Sequence, residues 1–583
     1  MSILRLFPVF CLSLLFGCAT APEQVPETKA VGTTGLLEKG AAKSKEKEDK
    51  DSLSPDVLFM LLTAELAGQR GQYDVAMEGY LEAAKRVHDP RLTERAAMIA
   101  MYMKDGNRTN EAVSLWLKQD PSNITARKIS ALSALKVRDK QAAVDQLSAL
   151  LQSDPAGFEK SIFELAGALQ KEGDVAFVYD VLDALAVKHP TQASVYFVQA
   201  LLASDMKNKS LAESKIEQAL RLQPDWDKAL ILRAQMALYA DDYSRAEVLL
   251  RDASLKYPEN EKFKKLLAQV LIKSAKYEEA VEVYDALIAA NPKDTESRFS
   301  LGLVQLQLDR DSKAEDIFKD LQEESEWRNQ SSFYLGKIEE KRNNTENALS
   351  WFDKVTEGPF EFEASVTAIS LLAKEKQFDR ASERLKLLPD KFPKQKTRIL
   401  LIEAELYSQQ KQYDKAFDLL TNELNSNPDQ EDLLYSRALM ADRLNKLDVM
   451  EADLRKILAK SPDNAEALNA LGYALADKTN RFKEAEGYLI HAMRLKPDEA
   501  VILDSYGWLK YKMGDLENAL IYLQRAYNKQ PENEIAAHLA EVLWIIGKKE
   551  DAKKLYEKEI DDAPDDVYLL NFRDKFLQKG IVR

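Results

Sequence analysis

The chain has 583 residues, 45% hydrophobic and 31% charged, with a formal net charge of −14 and only 20 Gly, 19 Pro, 2 Cys and 4 His. Gly and Pro, at about 3% each, fall below the usual ~7% and ~5%, which excludes turn-rich β-sandwiches, barrels and propellers and also collagen-like or disordered chains. The acidic balance argues against nucleic acid, whose phosphates need a concentrated basic face, and the length suggests several globular domains unless internal repeats extend one stack.

In chain order, residues 1–17 read as a short secretory signal: Arg5, then a mostly apolar run from Leu6 to Phe16, then Gly17-Cys18. That run is too short to cross a hydrocarbon core as a helix, which takes ~20 residues. The ending Leu15-Phe16-Gly17-Cys18 resembles the bacterial lipobox. The resemblance implies cleavage before Cys18 and a diacylglyceryl group plus an N-acyl chain on Cys18, a stable anchor at ~0.8 kcal/mol per buried methylene. Ala19 follows in place of the Asp that retains such proteins in the inner membrane, so the same resemblance points to the periplasmic face of the outer membrane. Cys11 leaves with the signal, and the single remaining cysteine is acylated, which leaves no disulfide. Residues 18–54 then form a solvated tether, with Pro22, Pro26 and the charged run Lys43–Asp51. As a flexible coil it spans roughly 33 Å r.m.s..

From there prolines fall at 55, 90, 121, 155, 190, 224, 258, 292, 359, 393, 428, 462, 497, 531 and 564. The steps are 33–35 residues, apart from one of 31 and one of 67 that skips a missing proline near Glu326. Between them a small residue is followed twelve later by Ala, as in Ala64/Ala76, Ala100/Ala112, Ala131/Ala143, Gly336/Ala348 and Gly507/Ala519. A bulky residue comes four after that, for example Tyr80, Trp116, Phe352 and Leu523. The pattern predicts one helix hairpin per repeat, with helices A and B crossing at the small residues and proline ending helix B. Gly514-Asp515 and Gly173-Asp174 mark turns inside hairpins. One such hairpin cannot bury its apolar stripe, so neighbours must stack.

This signature resembles the tetratricopeptide repeat. The resemblance implies an all-α superhelical solenoid of about 15 hairpins over residues 55–564, closed by a capping helix in 565–583. The register is weaker at Val178, Ile369 and Met450, which replace small residues, and at Gly472/Ala485, which carries one extra residue. In this repeat family helix A lines the concave face. In the last repeats that row holds Asn469 and Tyr473, then Asp504, Trp508 and Tyr511, then Glu541 and Trp544 with His538 beside them. Aromatic rings with polar neighbours suit a binding groove, and they equally suit packing between adjacent helices A. At the other end Leu58-Phe59-Met60-Leu61-Leu62 is apolar all round, which calls for burial on both sides, by the residues before Pro55 or by another protein.

No nucleophile elbow, phosphate-cradling loop, zinc motif or free thiol is present, so neither enzyme activity nor a metal or other cofactor is expected. The layout resembles the long tetratricopeptide outer-membrane lipoproteins of Gram-negative bacteria. The stretches Leu468–Tyr473 and Leu503–Trp508 look closest to the lipoprotein adaptors of carboxyl-terminal processing proteases. That resemblance implies protein partners: a periplasmic serine protease, recruited and activated, and substrates such as peptidoglycan hydrolases. A scaffold of an envelope export or assembly machine and a peptidoglycan-binding module stay open beside it.

Overall fold

A computed structural model describes residues 54–170 and 175–577 of the chain. The signal sequence, Cys18, nearly all of the tether, the turn Gly173-Asp174 and the last six residues lie outside the described residues. Among the described residues every regular element is a helix, and none is long and apolar enough to cross a membrane.

The chain divides into two compact units between Ala314 and Glu315. The first unit holds seven hairpins, from Pro55–Gln69 with Tyr73–Arg86 to Glu261–Lys273 with Tyr277–Ala290. The second holds seven more, from Arg328–Lys341 with Thr345–Phe352 to Asn533–Ile545 with Lys549–Asp562. The helices Thr295–Gln307 and Asp311–Gln322 supply the remaining pair, in the chain segment that contains the division. Each unit is a solenoid in which every hairpin packs on the next, and its core is the continuous apolar seam between them.

The small residues of the repeat are where the helices cross. A Cβ built on Gly507 would lie 2.8 Å from Leu523 Cγ, and one on Gly336 would lie 2.5 Å from the Phe352 ring. The bulky residue of helix B therefore rests directly on the small residue of helix A, and a side chain there would force the helices apart. Val178, Ile369 and Met450 are as buried as the alanines they replace.

Among the described residues thirteen A–B turns close through one left-handed residue, at Gly71, Gly514 and Gly547 and at ten positions that carry a side chain, among them Lys104, Lys207 and Lys411, whereas the turn between Ala465–Lys478 and Phe482–Leu495, where the repeat carries its extra residue, has none. After helix Pro90–Tyr102 the Asp105 amide donates to Ala100 O and the Lys104 amide to Met101 O, both at 3.0 Å, a Schellman closure. This turn corrects the register of the second hairpin. Gly514 lies seven residues after Gly507, and the residue seven before Lys104 is Ala97, so the crossing pair is Ala97 and buried Thr109 in place of Ala100/Ala112. The cause is proline placement. Pro55 and Pro90 occupy the first turn of a helix A, after the capping residues Ser54 and Asp89. Pro121 instead stands in the inter-hairpin turn, which shifts the ladder by three residues and produces the step of 31.

Two hairpins of the second unit are irregular. Helix Thr345–Phe352 is short and gives way to a loop through Gly358, whose φ is +87°. Helix Phe378–Leu385 breaks and resumes as Leu388–Lys391, with Pro389 in the first turn of the new piece. At the end of the chain Val567–Phe572 docks Leu569 and Phe572 on the last hairpin and runs into one π-helical turn, Arg573–Leu577.

Candidate functional site

The predicted C-terminal row converges, and it converges inward. Asp504, Trp508, His538 and Glu541 are each less than a tenth exposed, and Tyr473, Tyr511, Asn469 and Trp544 are half-buried. His538 Nδ1 lies 3.0 Å from both carboxylate oxygens of Asp504, and the Trp508 ring stacks on the imidazole at 3.9 Å and 19°. Trp508 Nε1 donates to Asp477 at 2.9 Å, and Lys512 Nζ lies 3.0 Å from the same carboxylate. Tyr511 donates to Glu541 at 2.7 Å, and Lys575 reaches that glutamate from the π turn at 2.5 Å. Trp544 packs its ring near Phe572 and Phe576, so it caps the stack. Asn469 keeps a buried Oδ1 with no donor.

Two bonds of this row skip repeats. Tyr473 donates to Glu534 at 3.0 Å, across the intervening helix Ala500–Lys512, and Arg443 on helix Glu431–Arg443 donates to the Tyr568 hydroxyl at 3.3 Å. Such bridges require a concave face so tightly curved that its own side chains fill it. The electrostatics follow from that closure. Burial pushes the Glu534 carboxyl above the usual range and neighbouring Asp504 adds to this, more than His538 and the tyrosine hydroxyls offset. Burial alone would depress His538, but the charge and hydrogen bond of Asp504, with Glu534 and Asp477, raise it. Asp477 is pushed up by burial yet held below its ordinary value by Trp508 and Lys512. Burial and Glu534 push the Tyr568 hydroxyl up to about 12.

The first helix behaves differently. Pro55–Gln69 buries Val57, Ala64 and Ala67 and packs Leu61 against the first core cluster. Leu58, Phe59, Leu62 and Leu66 form the opposite stripe, and Phe59 is 71% exposed. Beside it a groove of about 360 Å³ runs between Tyr73, Arg95, Met98 and Tyr102. The described residues leave this apolar surface uncovered. Elsewhere His189 bonds Ser148 and His491 bonds Asp463 at 2.9 Å. Among the described residues no cluster of three or more His, Cys, Asp or Glu could hold a metal.

The family model for the tetratricopeptide repeat matches residues 265–326. The TPR repeat-containing protein PA4667 of Pseudomonas aeruginosa is 31% identical over 536 residues, 91% of this chain and 88% of its own length. The chain belongs to the tetratricopeptide-repeat proteins. TPR repeat-containing protein YpiA of Bacillus subtilis is 26% identical over 31% of this chain and 44% of its own. Among solved structures yeast Tom70 covers 87% of the chain and 97% of its own, at 17% identity and a TM-score of 0.34. Tetratricopeptide-repeat proteins are generally protein-binding scaffolds, and the two surfaces of this one are an exposed apolar helix and a self-satisfied polar row. Sequence reasoning did not single out Asp477, Lys512, Tyr568 or Arg443. Asp477 and Lys512 had a signal, since they stand four residues after Tyr473 and Trp508 and so share their helix face. Arg443 and Tyr568 had none, because only the curvature of the stack brings them together.

Proposed function

We propose that this tetratricopeptide-repeat protein is an outer-membrane-anchored adaptor that recruits and activates a periplasmic carboxyl-terminal processing protease and presents substrates such as peptidoglycan hydrolases to it. The observation that carries a docking role is the apolar stripe Leu58, Phe59, Leu62 and Leu66, left open on a helix whose other face is already packed. A stripe of this kind is what a partner protein covers. The Leu15–Cys18 sequence supports a lipid anchor at Cys18, and the Leu468–Tyr473 and Leu503–Trp508 stretches support the choice of partner.

The test is affinity capture of the full chain from detergent-solubilised envelope, beside a form lacking residues 55–70, with mass spectrometry of what is retained. A serine protease and cell-wall hydrolases, both lost with the deletion, are the expected result. Secretin or porin components would replace the adaptor by a scaffold of an export or assembly machine, and muropeptides would make it a peptidoglycan-binding module.

A further inference from the structure

The C-terminal row is built like a closure more than a groove. Its groups come from five alternate helices of one unit, four successive helices A and the terminal helix: Arg443 from Glu431–Arg443, Tyr473 and Asp477 from Ala465–Lys478, Asp504 and Lys512 from Ala500–Lys512, Glu534 and His538 from Asn533–Ile545, and Tyr568 from Val567–Phe572. Adjacent hairpins already hold one another through the apolar seam. The Tyr473–Glu534 and Arg443–Tyr568 bonds add something the seam cannot, a tie between hairpins that are not neighbours. We propose that Glu534 and His538, with the side chains they bind, form a proton-operated latch that draws the concave face of the last hairpins shut and hides Trp508.

The proton count gives the direction. The groups facing Glu534 are Tyr473, Tyr568, His538, Asp504 and the Arg443 guanidinium; those facing His538 are Asp504, Glu534, Asp477 and the Tyr473 and Trp508 rings. In an opened face each group would be solvated and titrate near its ordinary value, ~4.3 for Glu and ~6.5 for His. Both values are raised in the closed face. Closing therefore takes up protons, so the latch is tightest at mildly acidic pH and loosens as pH rises through the raised values. Asp477 acts oppositely, since its value is lowered, and its contribution falls away only as pH drops through the ordinary carboxylate range and below. With the latch open, Trp508 and Tyr473 become available to a partner, which links this face to the adaptor reading without depending on it.

The experiment is hydrogen–deuterium exchange on the full chain at pH 6 and pH 9, corrected for intrinsic rates and followed in peptides from Ala465–Lys478, Ala500–Lys512 and Asn533–Ile545. His538 is followed in parallel by imidazole NMR, which four histidines leave well resolved. Protection in these peptides is expected to fall about tenfold or more between pH 6 and pH 9, with the seven hairpins of the first unit serving as an internal reference. His538→Gln should lose most of that pH dependence and resemble wild type at pH 9. Glu534→Gln, which imitates the protonated carboxyl, should be better protected than wild type at pH 9. The opposed signs separate a latch from simple damage. Equal protection of the wild type at both pH values, or weaker protection in Glu534→Gln, overturns the proposal.

Discussion

The two ends of this protein use helix A in opposite ways. At the first hairpin helix Pro55–Gln69 turns Leu58, Phe59 and Leu62 outward, about half exposed or more, and leaves apolar area for something else to cover. In the last hairpins the helices Ala500–Lys512 and Asn533–Ile545 turn Trp508, His538 and Glu541 inward, where each finds its partner within the same unit. Both stretches are rich in large side chains. The difference lies in whether a neighbouring helix A stands close enough in front of them, and that separates a docking surface from an internal brace.

The contrast can be broken most sharply at Trp508. Truncating a buried aromatic of this size costs ~3–5 kcal/mol, so Trp508→Ala should lower the urea midpoint of the second unit well below that of the first. A variant that unfolds normally and only loses a partner would make the row a binding groove after all. The opposite outcome is expected at the other end. Leu58→Ser with Phe59→Ser should change stability by no more than ~0.5 kcal/mol, while capture of the proposed partner falls tenfold or more. A large loss of stability there would mean that the stripe is covered by the chain itself.

The smallest effect sharpens the hairpin itself. Lys411 closes its turn at a φ of +59°, a conformation that costs a side-chain-bearing residue ~1 kcal/mol. Lys411→Gly should therefore raise stability by ~0.5–1 kcal/mol in a denaturant titration. No gain would show that neighbouring contacts already offset the strain.

Much of the architecture was legible in the order of residues. Proline spacing and the small-residue pairs located the hairpins because helix crossing imposes a steric rule at fixed separation, and Gly507 under Leu523 is that rule in atoms. The second hairpin slipped by three residues because Pro90 and Pro121 look alike as letters while serving different turns. The turns were mostly illegible, since ten of them place a residue other than Gly in the left-handed region.

For the site, sequence alone determined which residues share a helix face: Tyr473 with Asp477, Trp508 with Lys512, Leu58 with Leu62. Periodicity along one helix is a local property, set by 3.6 residues per turn. Tertiary structure alone decided what each face meets. Curvature accumulates over many hairpins through small rotations at each interface, and it is this sum that brings Tyr473 to Glu534 and Arg443 to Tyr568. No single repeat encodes that meeting, so the sequence marked the aromatic row while only the folded stack showed that its rings and charges face one another.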